Sequence, residues 1–122
     1  MKRALVIEDN VDNMVLMTRL LQKAGYETIE AETGRDGFEK ALAERPDFIL
    51  LDIQLPDIIG TEVLKMIRES KIGHSIPVIA ITSYAMTGDK EKLLAAGCDG
   101  YIEKPVDHQK VISQIKKIVG DD

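Results

Sequence analysis

Five polar side chains lie at the ends of short segments that are rich in apolar residues. In chain order they are Glu8, Asp9, Asp52, Thr82 and Lys104. Carboxylates brought into one crevice repel one another, so they must either raise a pKa or bind a cation. Hard oxygen ligands suit Mg²⁺, with Mn²⁺ as the alternative. Because a carboxylate beside such a cation can attack a phosphoryl group and form an acyl phosphate, these residue types indicate metal-assisted phosphoryl transfer.

Two of these side chains would stabilise charge in that reaction. Lys104 would add positive charge to that of the cation, and the Thr82 hydroxyl would add a hydrogen bond. Pro105 follows Lys104, and an X–Pro bond has a small enough trans preference to be held cis. Taken singly, each polar residue has an ordinary explanation as a cap, a turn or a surface charge. Their joint occurrence after several strands favours a functional site.

The elements that must position these residues are strands. Segments 4–7, 48–51 and 78–81 are apolar at nearly every residue. A strand with one face in water alternates, whereas a strand buried on both faces does not. These segments therefore predict central strands of a parallel sheet covered by helices on both faces. Segments 26–30 and 99–103 predict two further strands with more polar edges.

Segments with the apolar spacing of helices lie between and after the strands. They cover approximately 11–24, 33–43, 61–69, 87–96 and 107–119. Asn10 is expected to cap the first helix and Gly25 to end it. Repeated alternation of strand and helix predicts a doubly wound α/β sandwich, with a five-stranded parallel sheet in the common order 2-1-3-4-5. In that order ligands bind between strands 1 and 3, which supply the carboxylates.

The length, net charge and cysteine content of the chain disfavour several classes of protein. A length of 122 residues fits one domain, predicted over 1–122. With 16 basic and 21 acidic residues the net charge is −5, and no basic stripe supports direct binding of nucleic acid. No apolar run is long enough to span a bilayer, so no membrane association is expected. Cys98 is a lone cysteine, which fits the reducing cytoplasm.

Four segments of the chain carry specific motifs. They are 5–10 (LVIEDN), 46–56 (PDFILLDIQLP), 79–82 (IAIT) and 101–105 (YIEKP). In combination they resemble the receiver domains of response regulators over essentially the whole chain, above all stand-alone cell-division-regulator-type receivers and those of hybrid histidine kinases. The resemblance implies a flavodoxin-like three-layer fold and a cytoplasmic phosphorylation switch of a two-component or phosphorelay system. It implies no enzyme beyond self-phosphorylation and autodephosphorylation.

The resemblance implies a ligand set for the metal. Asp9, Asp52 and the backbone carbonyl of Gln54 would bind Mg²⁺ directly, and Glu8 would act through water. Glu8 stands where many members carry aspartate, which an outer-sphere role tolerates. Ile59 stands where the family often has aspartate, so the third helix is expected to lack a side-chain cap.

The resemblance also implies how the phosphoryl group is held and sensed. Asp52 would be the phosphoacceptor, and Thr82 and Lys104 would hold the phosphoryl oxygens. Thr82 and Tyr101 would form the switch, with the Tyr101 ring turning inward. Independently of the resemblance, we predict that Gln54 and Tyr84 flank the phosphoryl group and limit the approach of water; the alternative is that Tyr84 only lies over the surface.

A phosphoryl donor must reach Asp52 from the crevice mouth that the first helix borders. The helical spacing predicts that the residues facing the sheet are Leu16, Met17, Leu20 and Leu21. The same spacing predicts a second stripe that faces outward and consists of Val11, Met14, Val15 and Thr18. In the receivers that this chain resembles, that helix packs against the donor's helical bundle. We therefore predict Met14, Val15 and Thr18 as docking contacts for a histidine kinase or histidine phosphotransfer protein. A further protein is the expected downstream target.

Two other classes of protein place similar residues after a strand. A haloacid-dehalogenase-type phosphatase also uses a strand-end aspartate nucleophile, but it expects a second aspartate where this chain has Gln54. A flavin-binding domain on the same fold would need a phosphate loop rich in Ser, Thr or Gly after the first strand. Glu8 and Asp9 occupy that place and would repel a phosphate unless a metal intervened. The residues therefore disfavour both classes.

Overall fold

The computed structural model describes residues 2–71, 73–83 and 87–120, with the side chains of 87–90 excepted. Strands and helices alternate along the chain. In order they are β1 (Arg3–Ile7), α1 (Val11–Lys23), β2 (Glu27–Ala31), α2 (Gly34–Glu44), β3 (Phe48–Asp52), α3 (Gly60–Glu69), β4 (Val78–Thr82), α4 (Thr87–Ala95), β5 (Gly100–Glu103) and α5 (Val111–Val119). A short 3-10 helix, Gly73–Ser75, precedes β4. The predicted alternation is thus confirmed.

The five strands form one parallel sheet in the order β2-β1-β3-β4-β5, as predicted. Every residue of β3 and β4 is buried, and so are the last four of β1. The strands β2 and β5 at the two edges are more exposed. The continuous apolar segments are therefore the central strands, because helices cover them on both faces.

Successive strand residues point into two separate cores. The core on one face includes Leu5 and Ile7 of β1 together with residues of α2, α3 and α4. The core on the other face includes Ala4 and Val6 with residues of α1 and α5. The molecule is therefore the predicted three-layer sandwich, with the sheet as its middle layer.

Local signals place most helix ends correctly. Asn10 caps α1, because its side chain accepts a hydrogen bond from the backbone N–H of Asn13 (2.9 Å). Gly25 follows α1 with φ of 97°, in the left-handed region. Ile59 precedes α3 without a side-chain cap, as expected. In contrast, α5 begins four residues later than predicted, because Asp107 starts a turn in which its carbonyl oxygen accepts from the N–H groups of Lys110 and Val111.

The predicted orientation of α1 is wrong for two residues, Met14 and Thr18, which were expected to face outward. The buried residues of α1 are Met14, Met17, Thr18 and Leu21. This spacing forms one continuous helical face, and Thr18 is buried at little cost because its hydroxyl donates to the Met14 carbonyl (2.9 Å). Met14 and Thr18 therefore lie against the sheet and cannot serve as docking contacts, whereas Val15 is exposed as predicted. Leu16 and Leu20, expected to face the sheet, are only half-buried.

Arg68 ties the end of α3 to the edge of the sheet opposite the polar strand ends. Its guanidinium donates to the carbonyl oxygens of Gly97 (2.9 Å), Gly73 (2.9 Å) and Ile76 (2.6 Å). It also pairs with Asp99 at 2.8 Å, and the same Asp99 oxygen accepts from the Val78 N–H (2.8 Å). One side chain thus joins α3, the start of β4 and the turn before β5.

We expect Arg68→Ala to lower the free energy of unfolding by about 2–4 kcal/mol, because it leaves several partly buried acceptors without their donor. Lys65→Ala is the matched control, since Lys65 is exposed on the same helix and its loss is expected to change the free energy by less than about 0.5 kcal/mol. Urea unfolding of the two variants measures both values. Equal losses would show that the Arg68 network adds nothing to stability.

Candidate functional site

Three carboxylates meet where β1 and β3 end. Ile7 of β1 is paired with Leu51 of β3, so Glu8 and Asp52 follow at neighbouring positions of the sheet edge. Ligand oxygens of Glu8, Asp9 and Asp52 lie within 4.8 Å of one another. Glu8 and Asp52 are only 6% and 2% exposed, while Asp9 faces solvent. The structure therefore brings the three predicted acidic residues into one crevice that opens on one side.

Lys104 reaches the same crevice from the end of β5. Its backbone N–H donates to the Thr82 carbonyl (2.8 Å), which continues the pairing of β4 with β5. Its Nζ lies 3.1 Å from Asp52 Oδ2 and 4.0 Å from Glu8 Oε1. The Lys104–Pro105 peptide bond is cis, as predicted. The ammonium group is therefore an ion-pair partner of the central carboxylate.

Backbone amides also donate hydrogen bonds to Asp52 and Glu8. The Gln54 N–H donates to Asp52 Oδ1 (2.9 Å), and the Asn10 N–H donates to Glu8 Oε2 (3.2 Å). The Gln54 side chain accepts from the Ser83 hydroxyl (3.2 Å). Sequence reasoning missed Asn10 and Ser83 at this site. The only signal for them is their position, since each follows a predicted site residue directly.

The two residues predicted as the switch lie on β4 and β5. Thr82 is 2% exposed and follows Ile81, the residue paired with Asp52. Tyr101 is half-buried, pairs with Ala80 and packs against the core beneath α2, α3 and α4. Tyr84, predicted to shield the phosphoryl group, lies outside the described residues.

The crevice holds more negative charge than Lys104 can balance. The pKa of Glu8 is raised to about 7, first by burial and then by the hydrogen bond to Asp52 and its negative charge. The Asn10 N–H and the Lys104 charge act in the opposite direction and offset only part of this shift. A small cation would relieve the repulsion, and clustered carboxylate oxygens beside the crevice opening are the donors that Mg²⁺ prefers. The residues present therefore fit a magnesium site.

Comparison with known proteins agrees with this arrangement. The family model described as "Response regulator receiver domain" matches residues 4–116. The polar-differentiation response regulator DivK of Brucella anthropi is 42% identical over 120 residues, covering 98% of each chain. The structure of the chemotaxis response regulator CheY4 of Vibrio cholerae has a TM-score of 0.92 at 26% identity, covering 97% of this chain and 98% of that one.

A further solved structure bears on the metal. The receiver domain of a sensor histidine kinase from Pseudomonas aeruginosa PAO1 has a TM-score of 0.89 at 30% identity, covering 98% of each chain. That protein has a magnesium ion coordinated in its active-site cleft. In this chain the acidic cluster lies at the carboxyl ends of β1 and β3, where the order of the sheet reverses.

We expect Asp52→Asn to stabilise the metal-free protein by about 1 kcal/mol, because it removes one of three mutually repelling carboxylates. Mg²⁺ should raise the melting temperature of the parent through mass action and that of this variant much less. Melting curves in chelator and in excess Mg²⁺ test both statements. Asp12→Asn, an exposed change on α1, should behave like the parent. Equal Mg²⁺ responses in Asp52→Asn and the parent would remove Asp52 from the metal site.

Proposed function

Since the chain belongs to the response regulator receiver domain family of two-component signalling, we propose that Asp52 accepts a phosphoryl group from a phosphohistidine. One observation carries this proposal. The Asp52 carboxylate is 2% exposed, yet one of its oxygens is held by Lys104 Nζ and the other by the Gln54 N–H, beside two further carboxylates. Such an arrangement holds the nucleophilic carboxylate in one orientation, beside a positive charge that can stabilise the transferred group.

The proposed metal is Mg²⁺, and Mn²⁺ is expected to accept the same oxygen ligands. Asp9, Asp52 and the backbone carbonyl of Gln54 would hold it directly, and Glu8 would act through water. When bound, the cation neutralises the carboxylates and stabilises the charge of the transferred phosphoryl group.

The chemistry of the chain's own residues is simple. A carboxylate oxygen of Asp52 attacks phosphorus and forms an O–P bond, while the P–N bond of the donor breaks and its electron pair leaves with the imidazole. The Lys104 ammonium group, already 3.1 Å from Asp52, pairs with the phosphoryl oxygens, and the Thr82 hydroxyl donates a hydrogen bond to them. Attack by water on the phosphorus of the acyl phosphate breaks the O–P bond, which releases inorganic phosphate and returns the free Asp52 carboxylate. The chain therefore acts only on itself and is a switch rather than an enzyme for other substrates.

We propose that Thr82 and Tyr101 pass the change on to a downstream protein. Thr82 ends β4 one residue beyond the strand partner of Asp52, and Tyr101 lies on the neighbouring strand, half-buried. Movement of the Thr82 hydroxyl toward a phosphoryl group would open space at the end of β4. The Tyr101 ring could then turn inward and alter the surface around β5.

The donor is proposed to dock beside α1, on a surface that differs from the predicted stripe. Val15 remains exposed, and the half-buried Leu16 and Leu20 line a cavity of roughly 190 Å³ that also reaches Glu8 and Lys104. The other side of this cavity is formed by Pro105, Val106 and His108. An apolar surface next to the proposed acceptor suits the helix of a histidine kinase or phosphotransfer protein.

Two further features bear on partners. The net charge of −5 favours protein partners over nucleic acid. Within the described ranges, no helix has the length and apolarity that a membrane crossing requires. A cytoplasmic location remains a prediction from the lone Cys98.

Incubation with acetyl phosphate and Mg²⁺ should add one phosphoryl group to the parent, measured as a mass increase by intact-protein mass spectrometry. Asp52→Asn should gain none, because the nucleophile is gone, whereas Asp12→Asn should react like the parent. Chelator should suppress the reaction in the parent and in Asp12→Asn. A phosphoryl group gained by Asp52→Asn would identify a different acceptor and contradict the proposed function.

The docking proposal predicts that Val15→Lys slows transfer from a phosphorylated histidine phosphotransfer protein by about fivefold or more, while phosphorylation by acetyl phosphate is unchanged. Leu94→Lys is the matched control, because Leu94 is also apolar and is 44% exposed against 42% for Val15. Rapid-quench measurement of both reactions separates docking from chemistry. If the protein donor reacts equally fast with both variants and the parent, Val15 does not contact the donor.

A further inference from the structure

The loop between β3 and α3, residues 53–59, follows Asp52 directly, and we call it the acceptor loop. It carries Gln54, whose backbone carbonyl is a proposed metal ligand. Its base is closed, because the Gly60 N–H donates to the Ile53 carbonyl (2.9 Å) and a Cβ at Gly60 would stand 2.4 Å from the Ile53 Cα. The two ends of the acceptor loop therefore lie close together. The residues between them need a separate contact to hold them in place.

Asp57 supplies that attachment. Its Oδ1 accepts from the Gly34 N–H (2.8 Å) and its Oδ2 from the Arg35 N–H (3.0 Å), both in the first turn of α2. These amides are among those that a helix leaves without partners at its start. The two hydrogen bonds lower the pKa of Asp57, so the side chain stays a carboxylate. Because both oxygens are engaged, they fix the direction of the side chain as well as its position.

The helix that receives Asp57 is itself seated on the strand that carries Glu8 and Asp9. Gly37 of α2 lies so close to Ile7 that an added Cβ would stand 2.4 Å from the Ile7 Cδ1. Ile7 immediately precedes Glu8. The acceptor loop is therefore connected through Asp57 and α2 to the end of β1, independently of the sheet hydrogen bonds between β1 and β3.

We infer that Asp57 is a positioning residue for the metal and phosphoryl site. It holds the acceptor loop, and with it the Gln54 carbonyl, at a constant distance from the carboxylates that follow β1. This inference rests on the proposed function of Asp52 and Gln54. The simpler reading is that Asp57 only caps α2 and stabilises the fold.

Thr33 separates the two readings. It is the N-cap of the same helix, its Oγ1 accepts from the Asp36 N–H (3.1 Å), and it does not belong to the acceptor loop. Thr33→Ala therefore weakens the start of α2 without releasing the loop. Asp57→Ala weakens the same helix end and also releases the loop. Asp57→Asn retains one carbonyl oxygen and keeps one of the two hydrogen bonds.

The experiment measures Mg²⁺ binding by isothermal titration calorimetry and acetyl phosphate kinetics for the parent and these three variants, with melting curves for each. Asp57→Ala should raise the Mg²⁺ dissociation constant by about tenfold. Its phosphorylation should slow at low Mg²⁺ and recover toward the parent rate at saturating Mg²⁺. Asp57→Asn should be intermediate, and it provides the test if Asp57→Ala does not fold. Thr33→Ala should melt earlier but bind Mg²⁺ like the parent.

Two results would overturn the inference. One is parent-like Mg²⁺ binding by both Asp57 variants, and the other is an equal loss of Mg²⁺ affinity in Thr33→Ala. The measurements on the parent protein test the proposed function separately from the role of Asp57. If the parent binds Mg²⁺ and is phosphorylated on Asp52 while the Asp57 variants match it, only the positioning role fails. If the parent binds no Mg²⁺, the proposed function fails and the inference fails with it.

Discussion

The site is governed by the repulsion among its acidic side chains, which the Lys104 ammonium group, 3.1 Å from the buried Asp52 carboxylate, offsets only in part. A buried charge is costly unless it is paired and hydrogen-bonded, and here Gln54 completes the second requirement. Glu8 adds a second buried carboxylate 4.0 Å from the same ammonium group, so one cation faces more negative charge than it balances. The three side chains come from β1, β3 and β5. The strands must therefore end at one edge, and the fold holds unbalanced charge there that a divalent cation would neutralise.

Much of this arrangement could be predicted because its signals are local in the sequence. The fully buried strands β3 and β4 are apolar without alternation, and that pattern arises only when helices cover both faces of a sheet. The parallel order then brings the residues after each strand to one edge. A polar residue after an apolar strand is thus visible in the sequence, and topology alone places Asp52 near Glu8 and Lys104.

The features that could not be predicted depend on contacts between distant residues or on a choice between similar faces. The helix α1 carries apolar residues on more than one face, and their spacing did not reveal that Met14 and Thr18 belong to the buried one. Burial of Thr18 is inexpensive only because its hydroxyl bonds within the helix, which residue type alone does not reveal. Asp57 bonds to partners 22 and 23 residues away, Arg68 bonds to two partners 29 and 31 residues away, and neither residue belongs to a periodic pattern. Such bonds become visible only when the backbone is in place.

We propose that Asp52 is a phosphoacceptor in a crevice completed by a divalent cation. The most direct measurement is a crystal structure of the chain grown with Mg²⁺ and beryllofluoride, an analogue of the phosphoryl group. We expect the analogue to be bonded to a carboxylate oxygen of Asp52, within hydrogen-bonding distance of Thr82 Oγ1 and Lys104 Nζ, with Mg²⁺ bound by Asp9, Asp52 and the Gln54 carbonyl. An analogue bound to another residue, or Mg²⁺ bound away from these oxygens, would contradict it.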